Sequence, residues 1–94
     1  HLFDIEPVTF SRDMNLRGFY LIGEESAVEI EILDKEKNVV RTIRKAKESA
    51  GYHEFSWDGQ PDNPEDRFER VKRGQYFVRL TVDGDEIERE LQFK

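Results

Sequence analysis

The side chains that could carry chemistry are few in this sequence. There is no cysteine, and His53 is the one histidine away from the first position. No serine stands in a nucleophile motif such as G-x-S-x-G. Carboxylates are numerous, but a glycosidase needs two of them held across a cleft, one with a pKa raised by burial. A chain of 94 residues leaves little room for such a cleft, so we expect no enzyme activity and no cofactor.

One acidic segment could bind a cation. Calcium prefers several oxygen ligands, and such groups cluster at Asp58, Asp62, Asn63, Glu65 and Asp66. Their spacing differs from that of the EF-hand loop, and carboxylates near a helix start have a simpler role facing the helix dipole. A solvated acidic loop without metal is the favoured interpretation, and a calcium site is the alternative.

The charge balance limits the partners. The chain has 21 acidic and 15 basic residues and a formal net charge of −6, which repels phosphate backbones and argues against nucleic acid. No apolar run approaches the roughly 20 residues of a membrane span, so we expect no membrane insertion. Charged residues make up 38% of the chain, above the usual ~25%. That excess is typical of thermophiles, and a melting temperature below about 65 °C would count against such a source.

Hydrophobic residues recur mostly with period two, which indicates strands. The clearest run spans 27–33, where apolar residues face one side and two glutamates the other. A second strand follows a turn in which Asn38 can adopt the left-handed conformation, so residues 27–44 are predicted to form a hairpin. Residues 75–83 alternate equally well, and Asp83-Gly84 is a favoured two-residue hairpin turn.

The remaining apolar segments complete a set of about seven strands. They lie at 5–10, 15–22, 52–57 and 87–93. Pro7 restricts the first of these to a sheet edge or a strand end, and Gly18 is predicted to mark a bulge in the second. Seven short strands predict an all-β, antiparallel sandwich of the immunoglobulin or fibronectin III type.

Two segments interrupt the alternation. Residues 44–51 are polar and are predicted to form a loop or a single helical turn. Residues 63–73 carry helix-start signals, with Asn63 as the N-cap and Pro64 at the first helical position. A short helix or a tight loop is therefore expected at 63–73.

Five short motifs follow one another along the chain. They are Val28-Glu29-Ile30-Glu31-Ile32-Leu33-Asp34, Val40-Arg41-Thr42-Ile43, Ala50-Gly51-Tyr52-His53, Trp57-Asp58-Gly59 and Gly74-Gln75-Tyr76-Phe77-Val78-Arg79-Leu80. Their order and spacing resemble those of the immunoglobulin-like domain of flagellar hook-capping proteins, a domain that resembles modules of many bacterial secreted proteins. The chain departs from that pattern at Asn38, where Gly is usual, and in a longer loop before Gly74. The resemblance implies a single domain over residues 1–94, part of a larger extracytoplasmic protein that is secreted or on the cell surface.

Four motif residues have structural roles in this interpretation. Trp57 is expected to be the large buried aromatic between the two sheets. Tyr76 is expected to pack inward while its hydroxyl meets a backbone partner, as in a tyrosine corner. Gly59 and Gly74 are expected where the backbone adopts conformations closed to other residues.

Two functions follow as alternatives. The resemblance favours a non-catalytic structural or interaction module, a spacer or assembly domain whose partners are proteins or other domains of its own chain. A partner strand could add at a sheet edge near Pro7 or at 39–43. The alternative is a carbohydrate-binding accessory module, in which exposed aromatic rings stack on sugars. Its candidates are Tyr20, Tyr52 and Phe77, which alternate away from the predicted core face and would need to form an exposed, coplanar strip.

Overall fold

The computed structural model describes residues 2–11 and 14–94, which form a sandwich of two β-sheets. The strands in chain order are β1 (Leu2–Glu6), β2 (Thr9–Phe10), β3 (Leu16–Ile22), β4 (Ser26–Asp34), β5 (Val39–Glu48), β6 (Gly51–Trp57), β7 (Gly74–Val82) and β8 (Asp85–Phe93). The smaller sheet has the order β1-β3-β6 and the larger one β2-β8-β7-β4-β5. Neighbours are antiparallel except β2 and β8, which pair in parallel. The predicted all-β, immunoglobulin-like sandwich is confirmed.

The core lies between the sheets and follows from the alternation of β4 and β7. Val28, Ile30 and Ile32 of β4 are buried, and they stand directly opposite Val82, Leu80 and Val78 of β7. The intervening residues of both strands lie on the outer face of the larger sheet. Each fully buried aliphatic side chain of this kind stabilises the fold by about 1.5–3 kcal/mol. These two central strands therefore supply much of the apolar surface on which the smaller sheet packs.

Gly18 does not mark a bulge, and this prediction was wrong. The pairing of β3 with β1 and with β6 is regular throughout. Gly18 is required instead by a close approach, because a Cβ there would stand 2.1 Å from Cζ of Phe55. The bulges occur between β4 and β5, at Ile30/Glu31 and Ile32/Leu33.

Strand β5 is longer than predicted. Its pairing with β4 continues to Glu48, which stands opposite Ser26, so the loop or helical turn expected at 44–51 is wrong. An edge strand is solvated along its free side, and charged residues there blunt the edge against aggregation. Because four of the five side chains at 44–48 are charged, the hydrophobic period that identifies a strand is absent from this part of the sequence.

The segment between β6 and β7 is a loop, so of the two predicted alternatives at 63–73 the helix is wrong. Asn63 has a φ of 53°, which is not the extended conformation of an N-cap. Backbone groups of the loop bond to distant partners instead. The N–H of Asp62 donates to the carbonyl of Val40 over 2.9 Å, and the N–H of Val71 to that of Gly59 over 2.7 Å. In the part of the chain that the structure describes, no helix is long and apolar enough to cross a membrane.

The tight turns follow local chemistry. Asp83 and Gly84 both have positive φ, 47° and 90°, as the predicted hairpin turn requires. In the hairpin between β4 and β5 the left-handed residue is Lys37, with a φ of 70°, and not Asn38 as predicted. The carboxylate of Asp34 explains the shift, because it accepts the N–H of Asn38 over 2.9 Å.

Candidate interaction surfaces

Trp57 joins the two sheets at one end of the sandwich. It is 2% exposed, and its ring centroid lies 5.5 Å from that of Phe10 on β2 and 6.2 Å from that of Tyr76 on β7. Its indole N–H donates to the carbonyl of Gln60 over 2.8 Å. The side chain therefore fills the core between the sheets, as expected, and also fixes the start of the long loop.

The other three motif residues also make contacts within the scaffold. The hydroxyl of Tyr76 donates to the carbonyl of Lys72 over 2.5 Å, the backbone partner that the sequence predicted. Burial raises the pKa of this hydroxyl, and the Asp34 carboxylate adds to the effect. Gly59 and Gly74 have φ values of 88° and 146°, in the region that favours glycine.

Tyr20 does not stand on an exposed face, and the prediction that it does was wrong. Its side chain is fully buried, because β3 turns Leu16, Tyr20 and Ile22 inward. Arg44 donates to the Tyr20 hydroxyl over 2.9 Å, and that hydroxyl donates to Glu48 over 3.2 Å. Burial raises the pKa of Tyr20 despite the opposing effect of the Arg44 guanidinium.

This polar network bridges the two sheets along one side of the sandwich. Besides Tyr20, Arg44 of β5 reaches the carbonyl of Glu54 on β6 over 3.2 Å, so its guanidinium links the edge strands of both sheets. His53 stacks on Tyr20 at 5.2 Å and lies 2.7 Å from the carbonyl of Ser49. The one internal histidine is therefore held by structural contacts on the sheet edge.

Tyr52 and Phe77 lie on opposite sides of the molecule. Tyr52 is 58% exposed on the outer face of the smaller sheet, whereas Phe77 lies half-buried on the outer face of the larger sheet beneath the Lys37 ammonium, 3.5 Å from its ring centroid. With Tyr20 in the core, the three candidate rings form no exposed, coplanar strip. The geometry that the carbohydrate alternative requires is absent from the described residues.

Three aspartates of the long loop accept hydrogen bonds from backbone groups near them. Asp58 accepts the N–H of Gln60 over 3.0 Å, Asp62 that of Thr42 over 3.2 Å, and Asp66 that of Phe68 over 2.8 Å. Within the ranges 2–11 and 14–94, no three histidine, cysteine or acidic residues are grouped so that they could hold a metal ion. The carboxylates therefore shape the loop and connect it to β5.

The smaller sheet carries an apolar row across its outer face. Leu2 stands opposite Leu21, which stands opposite Tyr52, and these three residues, here called the apolar row, are 58%, 45% and 58% exposed. Phe19 stands in the next row and stacks on Tyr52 at 5.8 Å. The sequence did not predict that Leu2 and Leu21 lie on this outer face. Strand β3 has apolar residues on both faces, and the wrong face was predicted to point into the core.

The larger sheet has a different outer face, covered by ion pairs. Arg79 binds Glu31 over 2.9 Å, Glu86 lies 3.8 Å from Arg79, and Lys37 pairs with Glu88. Such a face is stable in water without a partner. The two outer faces of the sandwich are therefore chemically distinct.

The fold and motif residues define a structural module of the immunoglobulin-like class. A family model described as "FlgD Ig-like domain" matches residues 10–86. The chain belongs to this family of structural domains, as the motif resemblance predicted. No curated protein matches the chain.

Solved structures show the same fold in different contexts. FlgD from P. aeruginosa is 19% identical with a TM-score of 0.58, and the match covers 86% of this chain and 60% of that one. PorZ, an essential bacterial surface component of the type-IX secretion system of Porphyromonas gingivalis, is 11% identical with a TM-score of 0.63, over 98% of this chain and 11% of that one. The DNA glycosylase AlkC of Pseudomonas fluorescens, bound to DNA, is 10% identical with a TM-score of 0.56, and the match covers 96% of this chain and 28% of that one. This chain thus spans less than two thirds of each of these proteins.

Proposed function

We propose that this domain is a non-catalytic interaction module of a larger extracytoplasmic protein, which docks on a protein surface through the outer face of its smaller sheet. The apolar row of Leu2, Leu21 and Tyr52 carries the proposal. Singly exposed apolar residues are ordinary, but a contiguous patch rimmed by polar groups is typical of a protein interaction site. Membership in the FlgD Ig-like family supports a role in assembly.

The surroundings of the row favour a protein partner. Asp4 and Glu54 flank Phe19 in the adjacent row of the sheet, and the Tyr52 hydroxyl donates to Glu54 over 2.7 Å. An aromatic centre with a charged rim is the usual anatomy of a protein interface. The acidic rim would favour a partner with basic residues around its own apolar contact.

Photo-crosslinking in the parent protein tests this function. A benzoyl-phenylalanine replaces Leu21 or Tyr52 in one set of variants and Ala27, which is exposed on the outer face of the larger sheet, in the control. We expect adducts from positions 21 and 52 and none from position 27. An adduct within the same chain identifies a neighbouring domain, and an adduct with a second chain identifies a partner. Equal yields from both faces, or no adduct at any position, would contradict the proposal.

A further inference from the structure

The larger sheet has two edges, and each is half covered by the protein itself. On β5 the loop covers residues 40–42, since the N–H of Asp62 donates to Val40 and the N–H of Thr42 donates to the Asp62 carboxylate. On β8 the segment around β2 covers the end of the strand, where Gln92 and Lys94 donate to Val8 and Phe10 over 2.8 Å each. Among the described residues no strand pairs with the outer side of β5 at 43–48 or of β8 at 85–90.

These two open half-edges, residues 43–48 and 85–90, have opposite charge. The β5 half-edge holds three basic residues and one acidic residue, for a net charge of +2. The β8 half-edge holds four acidic residues and one basic residue, for a net charge of −3. Charged edge strands normally prevent edge-to-edge pairing. Here like edges repel one another, whereas the β5 edge of one molecule attracts the β8 edge of another.

The half-edges also stand at the same level of the sheet. Lys45 on β5 is opposite Glu29, which is opposite Thr81, which is opposite Glu86 on β8. Because every intervening pair is antiparallel, β5 and β8 run in opposite directions. A copy displaced sideways along the sheet, and shifted along it by two residues, therefore places its β8 antiparallel to β5, with Glu88 opposite Lys45 and Glu86 opposite Lys47.

From this geometry we propose that the domain binds a second copy of itself edge to edge, β8 residues 85–90 of one molecule pairing antiparallel with β5 residues 43–48 of the next. Backbone hydrogen bonds continue the sheet across the junction. On its outer face Lys45 and Lys47 meet Glu86 and Glu88. A peptide of one charge sign would satisfy only one of the two edges, whereas a copy of this chain satisfies both.

The contacts that these side chains make within one molecule leave them free to exchange. Lys47 pairs with Glu25 over 3.2 Å, and both side chains are more than 60% exposed. Glu86 lies 3.8 Å from Arg79, and Glu88 pairs with Lys37, whose side chain is 47% exposed. Exposed ion pairs of this kind stabilise little, so they can be replaced at the junction. Since the contact is head-to-tail, it repeats into a filament or closes into a ring, and it is independent of the docking proposed for the smaller sheet.

Sedimentation velocity of the 94-residue chain tests the proposal through salt. The Debye length is about 30 Å at about 10 mM salt and about 3 Å at about 1 M. We expect the sedimentation coefficient to rise with protein concentration at the low salt and to return to the monomer value at the high salt. A monomer at every concentration in low salt would overturn the proposal.

Charge reversal locates the contact. Lys45→Glu with Lys47→Glu gives two acidic edges, and Glu86→Lys with Glu88→Lys gives two basic edges, so each double variant should be monomeric. An equimolar mixture of the two should associate at least as strongly as the parent chain. The control is Lys35→Glu with Arg73→Glu, which lowers the net charge by as much as the Lys45→Glu, Lys47→Glu variant but away from both edges, and it should leave association unaltered. Association of either edge variant alone, or a mixture that stays monomeric, would refute the pairing.

Hydrogen exchange distinguishes strand pairing from loose electrostatic attraction. Amides within 43–48 and 85–90 should exchange several-fold more slowly at associating concentrations than at dilution. The amides of β3, the central strand of the smaller sheet, serve as the internal control and should not change. Association without this protection would refute edge pairing.

Discussion

Replacing Gly18 with alanine should destabilise the domain although it adds a single methyl group. The new Cβ would stand 2.1, 2.4 and 2.8 Å from three ring atoms of Phe55, so the ring must move. It has little space, because the centroids of Phe3 and Tyr20 lie 6.2 and 6.4 Å from its own. Overpacking of this kind costs about 3 kcal/mol, partly offset by the ~0.5–1 kcal/mol that alanine gains over glycine in a strand.

Urea unfolding measures this change. Trp57 is the sole tryptophan, so its fluorescence reports the transition. We expect the free energy of unfolding of Gly18→Ala to fall by about 2 kcal/mol, or its melting temperature by roughly 8–16 °C. Gly23→Ala is the matched control: a Cβ there would meet nothing within 4 Å, so stability should change by less than about 0.5 kcal/mol.

A double-mutant cycle attributes the cost to the ring. Phe55→Leu removes the atoms that the new methyl group strikes, so Gly18→Ala should cost less in that background, with a coupling of about 1–2 kcal/mol. If Gly18→Ala is as stable as the parent chain, or if its cost is the same with leucine at position 55, then the ring does not lie across β3 and the packing argument fails.

Three further outcomes are expected. Trp57→Ala should lower the free energy of unfolding by roughly 3–5 kcal/mol, measured by circular dichroism. Trp57→Phe should lower it less, because it keeps an aromatic ring between the sheets. If both variants lose the same free energy of unfolding, the core role of Trp57 is contradicted. Burial raises the pKa of Tyr20 and Tyr76 above 10.0, so the unfolded state releases these protons at a lower pH than the folded state does. The free energy of unfolding should therefore be constant below about pH 10 and fall above it. Urea midpoints that do not decline between about pH 10 and 12 would contradict these shifts. Calorimetric titration with soluble glucans and xylans should give no saturable heat, since Tyr52 and Phe77 lie on opposite faces; heat lost in Tyr52→Ala would restore the carbohydrate alternative.

The central strands could be predicted from sequence because their two faces differ in chemistry. Along 28–32 of β4 and 78–82 of β7 apolar residues alternate with charged or polar ones, so the buried side is unambiguous. β3 has Leu16, Tyr20 and Ile22 on one side and Phe19 and Leu21 on the other. Either side could have faced the core, and the choice depends on how Phe55 packs over Gly18. That long-range contact leaves no trace in local periodicity, so Tyr20 was misplaced and the apolar row was missed.

Local signals also failed where distant hydrogen bonds decide the backbone. Asn63 and Pro64 have the chemistry of a helix start, yet the loop around them is fixed by bonds from Asp62 to Val40 and from Val71 to Gly59. Tertiary contacts of this kind override helix propensity. The motif residues Trp57 and Tyr76 were placed correctly because a large aromatic with one polar atom has few acceptable environments.

At Pro7 the chain passes from β1 in the smaller sheet to β2 in the larger one. This change of sheet has a mechanical consequence. Strand β1 begins beside Leu21 at one end of a body 36 Å long, whereas β8 ends beside Phe10 at the other end. Tension applied through the outer ends of these two strands acts along the parallel pair of β2 and β8. It loads the hydrogen bonds from Gln92 to Val8 and from Lys94 to Phe10 at right angles to their own direction, so both must break together rather than one after the other. The shortest strand pair of the sandwich thus lies in the path of the load and bears it in shear.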